Sequence, residues 1–391
     1  MRIFLVAGEP SGDRLGAALM GGLVSLVPDV QFFGVGGPEM TAAGLKSLFP
    51  MHELSVMGLA EVLPRYPHLV RRKNQTGDAA IKIAPDALVT IDSPDFGLRV
   101  AARVRAAQPS QTTVHYVAPS VWAWRPHRAE KMARHIDHVL ALLPFEPPYM
   151  EAAGMSCDFV GHPVVAEPRA NPDECAEFRM RHGIGAEAKL VLVLPGSRRG
   201  EVERLLPVFG ESVRQLFAAR GDLRVVLPTT ENVAERVSQG TSGWPGEPIV
   251  LDPTKMLAGD AAAEKRAAFG AADAALAASG TVSLELAAAA TPMVIAYDMN
   301  WISRHIIARM LKIDTVTLVN LVSESRAVPE FLGAACQPDA IARALLDVLQ
   351  NPEAQIDAMR LTMERLGEGD SPPGVRAAQS VLSALGNRSS H

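Results

Sequence analysis

The chain has 391 residues, a length that suits about two to three domains and allows at least one large buried core. Hydrophobic residues make up 48% and charged residues 21% of it, a composition that excludes disordered and fibrous proteins. The formal net charge of −5 provides no global positive field for nucleic acid, so we expect no nucleic-acid partner. The cysteines, Cys157, Cys175 and Cys336, match neither a metal-ligand spacing nor a disulfide framework and indicate a reducing compartment.

Short apolar runs alternate with helical patterns along the whole chain. This alternation is typical of βαβ units, so the predicted fold class is α/β with two doubly wound parallel sheets. In the first half, the predicted strands are 3–7, 30–35, 87–91, 112–117, 138–142 and 158–160. In the second half, they are 190–194, 224–227, 248–251, 274–277 and 293–296.

The domain boundary is predicted in residues 161–172, where three prolines disfavour regular structure. We therefore expect a first domain over residues 1–165 and a second over residues 172–365. The helical pattern at the end of the chain, residues 370–391, is expected to rejoin the first domain.

No apolar run is long enough for a membrane span, and residues 1–7 are too short for a signal-peptide core. We expect a cytoplasmic protein, or one that sits on a membrane from that side. Residues 54–62 are nearly all apolar and precede the basic residues Arg65, Arg71, Arg72 and Lys73. Such a segment can dock on anionic lipid, or it can be a buried segment with a solvated basic edge.

The first candidate binding motif, AGEPSGD at 7–13, follows the first predicted strand and precedes a helical pattern. Small residues such as Ser11 and Gly12 let the backbone approach a ligand, and the helix start offers free N–H groups to an anion. The alternative is an ordinary tight turn between a strand and a helix. The motif is neither a P-loop nor a GxGxxG fingerprint, which argues against nucleotide hydrolysis and NAD binding.

The second motif, IDSPDF at 91–96, places two carboxylates at the end of a strand. Asp92 is the candidate general base, because the carboxyl ends of parallel strands face the ligand crevice. The alternative for Asp92 is a strand-end cap. Asp95 follows a proline and suits the negative charge that is favourable in the first turn of a helix.

Two further motifs repeat this pattern in the second half. In LPGSRRGE at 194–201, Arg198 and backbone N–H groups suit a diphosphate, although both arginines could be surface charges. In ASGTVSLE at 278–285, Glu285 could accept two ribose hydroxyls beside Ser279, Gly280 and Thr281, or the motif could only cap a helix. Finally, HYVAPSVWAWR at 115–125 either lines an acceptor pocket or packs between a strand and a helix.

No Asp-x-Asp, HExxH or Cys/His cluster is present in the sequence, and no GxSxG elbow appears. The absence of these motifs from the sequence therefore predicts that the chemistry needs no metal and that the protein is not a serine hydrolase.

The motifs together closely resemble the lipid-A-disaccharide synthase family, in order and over most of the chain. They are AGEPSGD, GVGGPEM at 34–40, SVMGLAEVL at 55–63, IDSPDF, HYVAPSVWAWR, LPFE at 143–146, FVGHP at 159–163, LPGSR at 194–198 and ASGTVSLE. The resemblance implies a GT-B glycosyltransferase with two Rossmann-like domains facing a cleft, an acceptor-binding and membrane-facing first domain and a UDP-sugar-binding second domain. It implies no cofactor.

The resemblance also implies the reaction. UDP-2,3-diacylglucosamine would donate its sugar, with inversion, to the 6-hydroxyl of 2,3-diacylglucosamine 1-phosphate at the surface of the inner membrane. Asp92 would be the base, Ser11 and Gly12 would lie near the diphosphate, Arg198 would contact it, and Ser279, Gly280, Thr281 and Glu285 would hold UDP.

The resemblance also implies that Asn320 binds the nucleotide sugar, because it matches a family asparagine in a loop that many members write Leu-Pro-Asn, but here Val319 replaces the proline. A UDP-sugar epimerase or hydrolase of the same fold is the alternative enzyme. A non-enzymatic binding protein of two α/β lobes is the alternative from another class.

Overall fold

The computed structural model describes residues 1–54, 59–123, 127–257, 259–298 and 314–388. The chain divides into two compact units, which are Met1–Ala166 together with Leu366–His391, and Glu167–Arg365. The polypeptide therefore leaves the first unit after residue 166 and returns to it at residue 366. In the described ranges, no helix combines the length and apolar character that crossing a bilayer would require.

The first unit contains a parallel sheet. Its strands are β1 (Arg2–Ala7), β2 (Gln31–Val35), β3 (Lys46–Ser47), β4 (Ala87–Ile91), β5 (Thr112–Tyr116), β6 (His138–Ala141) and β7 (Ser156–Phe159). Their order in the sheet is β3-β2-β1-β4-β5-β6-β7. The helices described in this unit are α1 (Pro10–Leu26), α2 (Pro38–Ala42), α3 (Leu59–Ile83), α4 (Pro94–Ala107), α5 (His127–Ala133), α6 (Pro147–Glu151) and, at the end of the chain, α15 (Pro373–Arg388).

Both faces of this sheet are buried, which explains why its strands are continuous apolar runs. In β1, Ile3 and Leu5 belong to one hydrophobic cluster, whereas Phe4 and Val6 belong to another. Alternate side chains of a strand point to opposite faces, so each cluster is the core on one side of the sheet. The central strands are therefore held rigidly, and their carboxyl ends are well defined.

The second unit repeats this architecture with a smaller parallel sheet. Its strands are β8 (Lys189–Leu194), β9 (Leu223–Pro228), β10 (Ile249–Leu251), β11 (Ala274–Ala277), β12 (Met293–Tyr297) and β13 (Glu330–Leu332), and their order is β10-β9-β8-β11-β12-β13. The helices described here are α7 (Pro172–Arg181), α8 (Arg199–Ala219), α9 (Ala234–Thr241), α10 (Asp260–Ala271), α11 (Val282–Ala288), α12 (Leu318–Ser323), α13 (Pro338–Gln350) and α14 (Glu353–Arg365).

The stretch 161–172, which is predicted to be irregular, contains one short 3-10 turn, Pro163–Ala166, and ends where α7 begins. Asn171 caps that helix. Its side-chain oxygen accepts from the backbone N–H of Glu174 at 3.0 Å, and the Glu174 carboxylate accepts from the N–H of Asn171 at 2.8 Å. This reciprocal capping box, followed by Pro172 in the first turn, fixes the start of α7.

The C-terminal helix α15 packs closely on α1 in the first unit. A Cβ atom added to Gly22 would lie 2.3 Å from the carbonyl oxygen of Gly374, so the two backbones approach each other where both residues are glycine. Ser380 of α15 also lies 2.7 Å from Nε2 of His138 in β6 and donates to Asp158 at 2.6 Å. The end of the chain is thus an integral part of the first unit.

Candidate active site

Two of the motifs meet at the centre of the first sheet. The strand order reverses between β1 and β4, and AGEPSGD follows β1 whereas IDSPDF follows β4. Open α/β sheets bind ligands at the carboxyl edge of such a switch point. The structure therefore brings Ser11, Gly12 and Asp92 together at the position where this fold places a ligand.

The geometry at this edge is specific. The Ser11 hydroxyl donates a hydrogen bond of 2.9 Å to Oδ2 of Asp92, across 81 positions of sequence. Asp92 is half-buried, and Gly12 is buried behind it, where an added Cβ would lie 3.3 Å from the carbonyl oxygen of Ile91. Gly12 thus allows α1 to start close to the end of β4, which sets the distance between Ser11 and Asp92.

Backbone strain is concentrated at the same edge. Asp92 and Ser93 have φ angles of 50° and 37°, and Val117, directly after β5, has a φ of 86°. A left-handed conformation is tolerated by aspartate but is an outlier for a β-branched residue such as valine. The backbone N–H of Asp92 donates to the carbonyl of Tyr116 at 2.9 Å, and that of Val117 donates to Leu140 at 3.0 Å. These bonds hold the strained residues against neighbouring strands.

Asp13, the last residue of AGEPSGD, has a structural role. Its buried carboxylate accepts hydrogen bonds from the backbone N–H groups of Gly37, Glu39 and Met40 at 2.7–3.0 Å. These donors belong to the start of α2, so Asp13 satisfies N–H groups that a helix leaves without partners. The contact explains why the motif GVGGPEM accompanies AGEPSGD.

The aromatic motif after β5 is anchored by a residue that the sequence patterns did not single out as functional. Glu146 is 4% exposed, and its carboxylate accepts from Nε1 of Trp122 at 3.2 Å and from the backbone N–H groups of Leu142 and Leu143 at 3.2 and 3.0 Å. Desolvation by burial raises the pKa of Glu146 to about 7. The motifs HYVAPSVWAWR and LPFE are thus connected by this carboxylate.

His115, the first residue of the aromatic motif, is a core residue. It is buried in β5, its Nδ1 atom lies 2.7 Å from the hydroxyl of Thr90, and burial lowers its pKa to about 4. The imidazole is therefore neutral at physiological pH. Trp124 and Arg125, further along the motif, lie outside the described residues.

The other two motifs meet in a pocket of the second unit. The order of its strands reverses between β8 and β11, and LPGSRRGE follows β8 whereas ASGTVSLE follows β11. The pocket at this edge has a volume of about 470 Å³. Its lining includes every residue predicted from these two motifs, namely Arg198, Ser279, Gly280, Thr281 and Glu285.

One wall of this pocket is the turn before α8. Gly196 has a φ of 110°, which other residues rarely adopt. Arg198 follows it with a side chain that is 69% exposed, and its guanidinium lies 3.0 Å from the Glu201 carboxylate. An exposed guanidinium with one carboxylate partner can reorient toward an anion in the pocket. Arg199 pairs with Glu203 instead and is absent from the pocket lining.

The pocket lining also includes an ion pair that sequence reasoning missed. Lys265, on α10, also lines the pocket and forms an ion pair with Glu285. The ammonium group holds the Glu285 carboxylate in place on the wall. Thr229 and Thr230, which follow β9, complete the lining. A polar turn after a strand is the signal that could have identified these threonines.

Asn320 is absent from the pocket lining. Its side chain is fully buried in the second unit, where the amide donates to Thr315 and to the carbonyl of Val328 and accepts from the N–H of Val328. Both ends of the amide are therefore engaged within the protein. The expected loop is wrong at this position, because Asn320 lies in the short helix α12, and these bonds tie that helix to the segment before β13.

The apolar and basic segment is only partly described. Residues 55–58, and the side chains of 59–64, lie outside the described residues. Arg72 is 17% exposed, donates two hydrogen bonds of 2.7 Å to Glu53 and lies over the ring of Phe49. The Arg72 guanidinium thus bonds within the protein, whereas the side chains of Arg65 and Arg71 are exposed.

Known proteins match this chain over nearly its whole length. A family model described as lipid-A-disaccharide synthetase matches residues 3–373. The lipid-A-disaccharide synthase of Ruegeria pomeroyi is 63% identical, and the match covers 98% of this chain and 96% of that protein. The lipid-A-disaccharide synthase of Rhodospirillum centenum is 50% identical, and the match covers 99% of this chain and 95% of that protein.

Solved structures with low sequence identity share the fold. One is a putative UDP-N-acetylglucosamine 2-epimerase from Listeria monocytogenes, with a TM-score of 0.63, 15% identity and coverage of 100% of this chain and 96% of that chain. Another is the UDP-GlcNAc 2-epimerase from Neisseria meningitidis, with a TM-score of 0.62, 11% identity and coverage of 99% and 100%. The fold is of the GT-B type. The family model matches residues 3–373, and the two synthases from Ruegeria pomeroyi and Rhodospirillum centenum are 63% and 50% identical to this chain. The chain therefore belongs to the lipid-A-disaccharide synthase family, glycosyltransferases of lipid A biosynthesis.

Proposed function

We propose that this chain transfers a diacylglucosaminyl group from UDP-2,3-diacylglucosamine to the 6-hydroxyl of 2,3-diacylglucosamine 1-phosphate, with inversion and release of UDP. The observation that carries this proposal is the carboxylate of Asp92 at the switch point of the first sheet, oriented by Ser11 at 2.9 Å. A carboxylate in this position can take the proton of an acceptor hydroxyl as the hydroxyl attacks the sugar. A single displacement of this kind inverts the anomeric centre.

We propose that the first unit binds the acceptor and that the pocket of the second unit binds the nucleotide of the donor. Arg198 and the N-terminal N–H groups of α8 would contact the diphosphate, and Glu285 would accept the ribose hydroxyls. Ser279, Gly280 and Thr281 supply the remaining wall of the pocket. The charge that develops on the departing UDP would be stabilised by Arg198 and these N–H groups.

The other predicted residues receive more local roles. Ser11 orients Asp92 by its hydrogen bond, and Gly12 lets α1 approach β4. For Asn320 we propose a supporting role in the fold, holding α12 to the segment before β13, because its amide is fully engaged away from the pocket lining.

We further propose that the protein acts at the cytoplasmic surface of the inner membrane. The acyl chains of both proposed substrates place them in a lipid surface. On α3, Tyr66 is half-exposed beside the exposed Arg65, and Arg71 is also exposed. An amphipathic tyrosine with neighbouring cations suits the boundary of an anionic lipid layer.

The experiment that tests this function is the measurement of UDP release from UDP-2,3-diacylglucosamine in detergent, with and without the acceptor. We expect release to require the acceptor and to fall at least about 100-fold in Asp92→Asn, since general-base catalysis contributes roughly 10²- to 10⁴-fold. Asp95→Asn is the matched control, because Asp95 is an exposed carboxylate three positions away. UDP release that does not require the acceptor would indicate a hydrolase or epimerase instead. If the rate of UDP release fell equally in Asp92→Asn and Asp95→Asn, Asp92 would not be the base.

A further inference from the structure

The Glu146 carboxylate bridges two loops that follow neighbouring strands. Oε2 accepts from the backbone N–H groups of Leu142 and Leu143, directly after β6, whereas Oε1 accepts from the indole N–H of Trp122, in the loop after β5. Three donors thus converge on one buried carboxyl group, and leaving a buried donor without its acceptor is costly. Glu146 therefore joins the loop after β5 to the loop after β6 at one edge of the sheet.

The described part of the loop after β5, residues 117–123, is constrained at its start and at Trp122. It begins at Val117, whose φ of 86° is held by the hydrogen bond to Leu140. Near its other end, the ring of Trp122 packs edge to face on Phe145, with ring centroids 5.1 Å apart, while its N–H reaches Glu146. A strained residue persists only where its surroundings hold it, so the anchor at Trp122 supports the whole loop.

This loop lies beside Asp92. The last residues of β4 and β5 are paired, Ile91 with Tyr116, and the backbone N–H of Asp92 donates to Tyr116 at 2.9 Å. The residue that follows Tyr116 is the strained Val117. A displacement of the loop therefore acts directly on the backbone next to the Asp92 carboxylate.

We propose that Glu146 is a positioning residue for the acceptor side of the reaction, holding Trp122 and the loop 117–123 against the sheet edge next to Asp92. This inference rests on the proposed role of Asp92 as the base for an acceptor bound at that edge. Glu146 touches no reacting atom in this proposal. It acts through Trp122, and its replacement should disturb the use of the acceptor while UDP binding in the second unit is preserved.

The test compares Glu146→Gln, Trp122→Phe, the double variant and Glu151→Gln, an exposed glutamate on α6 that serves as the matched control. Initial rates of UDP release are measured with each substrate varied in turn, and UDP affinity is measured by calorimetry. Because misplacement of reacting groups by about 1 Å can reduce rates about 100-fold, we expect kcat/KM for the acceptor to fall about 10- to 100-fold in Glu146→Gln. We expect kcat/KM for the acceptor to fall about tenfold in Trp122→Phe, because this variant retains the ring contact with Phe145 but lacks the N–H donor.

The KM of the donor and the Kd of UDP should stay within about twofold of the native values. The double variant should be no worse than the poorer single variant, because both substitutions act on the hydrogen bond between Trp122 and Glu146. Native acceptor kinetics in both single variants would overturn the proposal, as would a parallel loss of UDP affinity. If Glu146→Gln does not fold, Trp122→Phe decides by the same criteria. Absence of acceptor-dependent release from the native chain would instead refute the proposed function before any variant is compared.

Discussion

Lys265 offers the sharpest test of the proposed nucleotide pocket, because its replacement should affect UDP binding and hardly affect stability. The Lys265 and Glu285 side chains are 44% and 34% exposed, and the ammonium group also lies 5.1 Å from the centre of the Phe269 ring. Replacing Lys265 by methionine removes the charge and keeps most of the aliphatic volume. The Glu285 carboxylate then loses the partner that holds it on the pocket wall.

The magnitude follows from these contacts. An ion pair this exposed contributes about 0–1 kcal/mol to folding, so the free energy of unfolding should fall by no more than about 1 kcal/mol. In the variant, Glu285 must be ordered when the ribose binds, at a cost of about 0.5–1.5 kcal/mol for one flexible side chain. The Kd of UDP should therefore rise about 2- to 12-fold.

Isothermal titration with UDP at constant ionic strength measures this change. Lys255→Met is the matched control, since Lys255 is an exposed lysine of the same unit that pairs with Asp252 and is absent from the pocket lining. Its Kd for UDP should equal that of the native chain. If Lys265→Met bound UDP as tightly as the native chain, or more tightly, the ion pair would not prepare Glu285 for ribose, and this reasoning would be refuted.

Three other predictions concern stability. Gly22→Ala should lower the free energy of unfolding by about 2–3 kcal/mol, because the new methyl group meets the carbonyl oxygen of Gly374 at 2.3 Å. The control Gly21→Ala, at an exposed position of the same helix, should raise the free energy of unfolding by up to about 1 kcal/mol. Urea unfolding of both variants measures the difference. Burial raises the pKa of Glu146 from 4.5 to about 7, so the stability supplied by its protonated form is present below pH 4.5 and lost as pH rises through about 7. Between pH 4.5 and 8, the free energy of unfolding of the native chain should therefore fall by up to about 3 kcal/mol relative to that of Glu146→Gln. A difference in urea unfolding that does not change with pH would contradict this prediction. Asn320→Ala should cost about 2–3 kcal/mol of stability with an unchanged Kd for UDP, so weaker UDP binding at an unchanged Tm would argue against its supporting role.

The strands and the sheet edges could be predicted because their signals are local. A strand buried on both faces is a short apolar run, and β1, β4 and β11 all follow that pattern. The strands β3 and β13, with two and three residues, were not predicted, since runs this short carry no periodicity. The predicted strand 112–117 is one residue too long, because a β-branched valine occupies a left-handed conformation that only its neighbours impose.

The contacts that organise the sites could not be predicted, because each joins distant parts of the sequence. Nothing near Lys265 indicates that its partner is Glu285 on another helix, and nothing near Glu146 indicates Trp122. Asp13 was part of a predicted binding motif, yet its carboxylate is used entirely by the N–H groups of α2. A motif therefore predicts the sheet edge at which its residues lie more reliably than it predicts the role of each residue.

The return of the chain to the first unit has a consequence for its synthesis. The second unit, Glu167–Arg365, is one continuous stretch, whereas the first unit needs Pro373–Arg388, which the ribosome makes after the whole second unit. Domains generally fold as units while the chain emerges, so the second unit can form its core during translation. The first unit cannot bury the surface of α1 around Gly22 until α15 has been made. Premature termination before residue 373 would thus leave a formed second unit attached to an incomplete first unit.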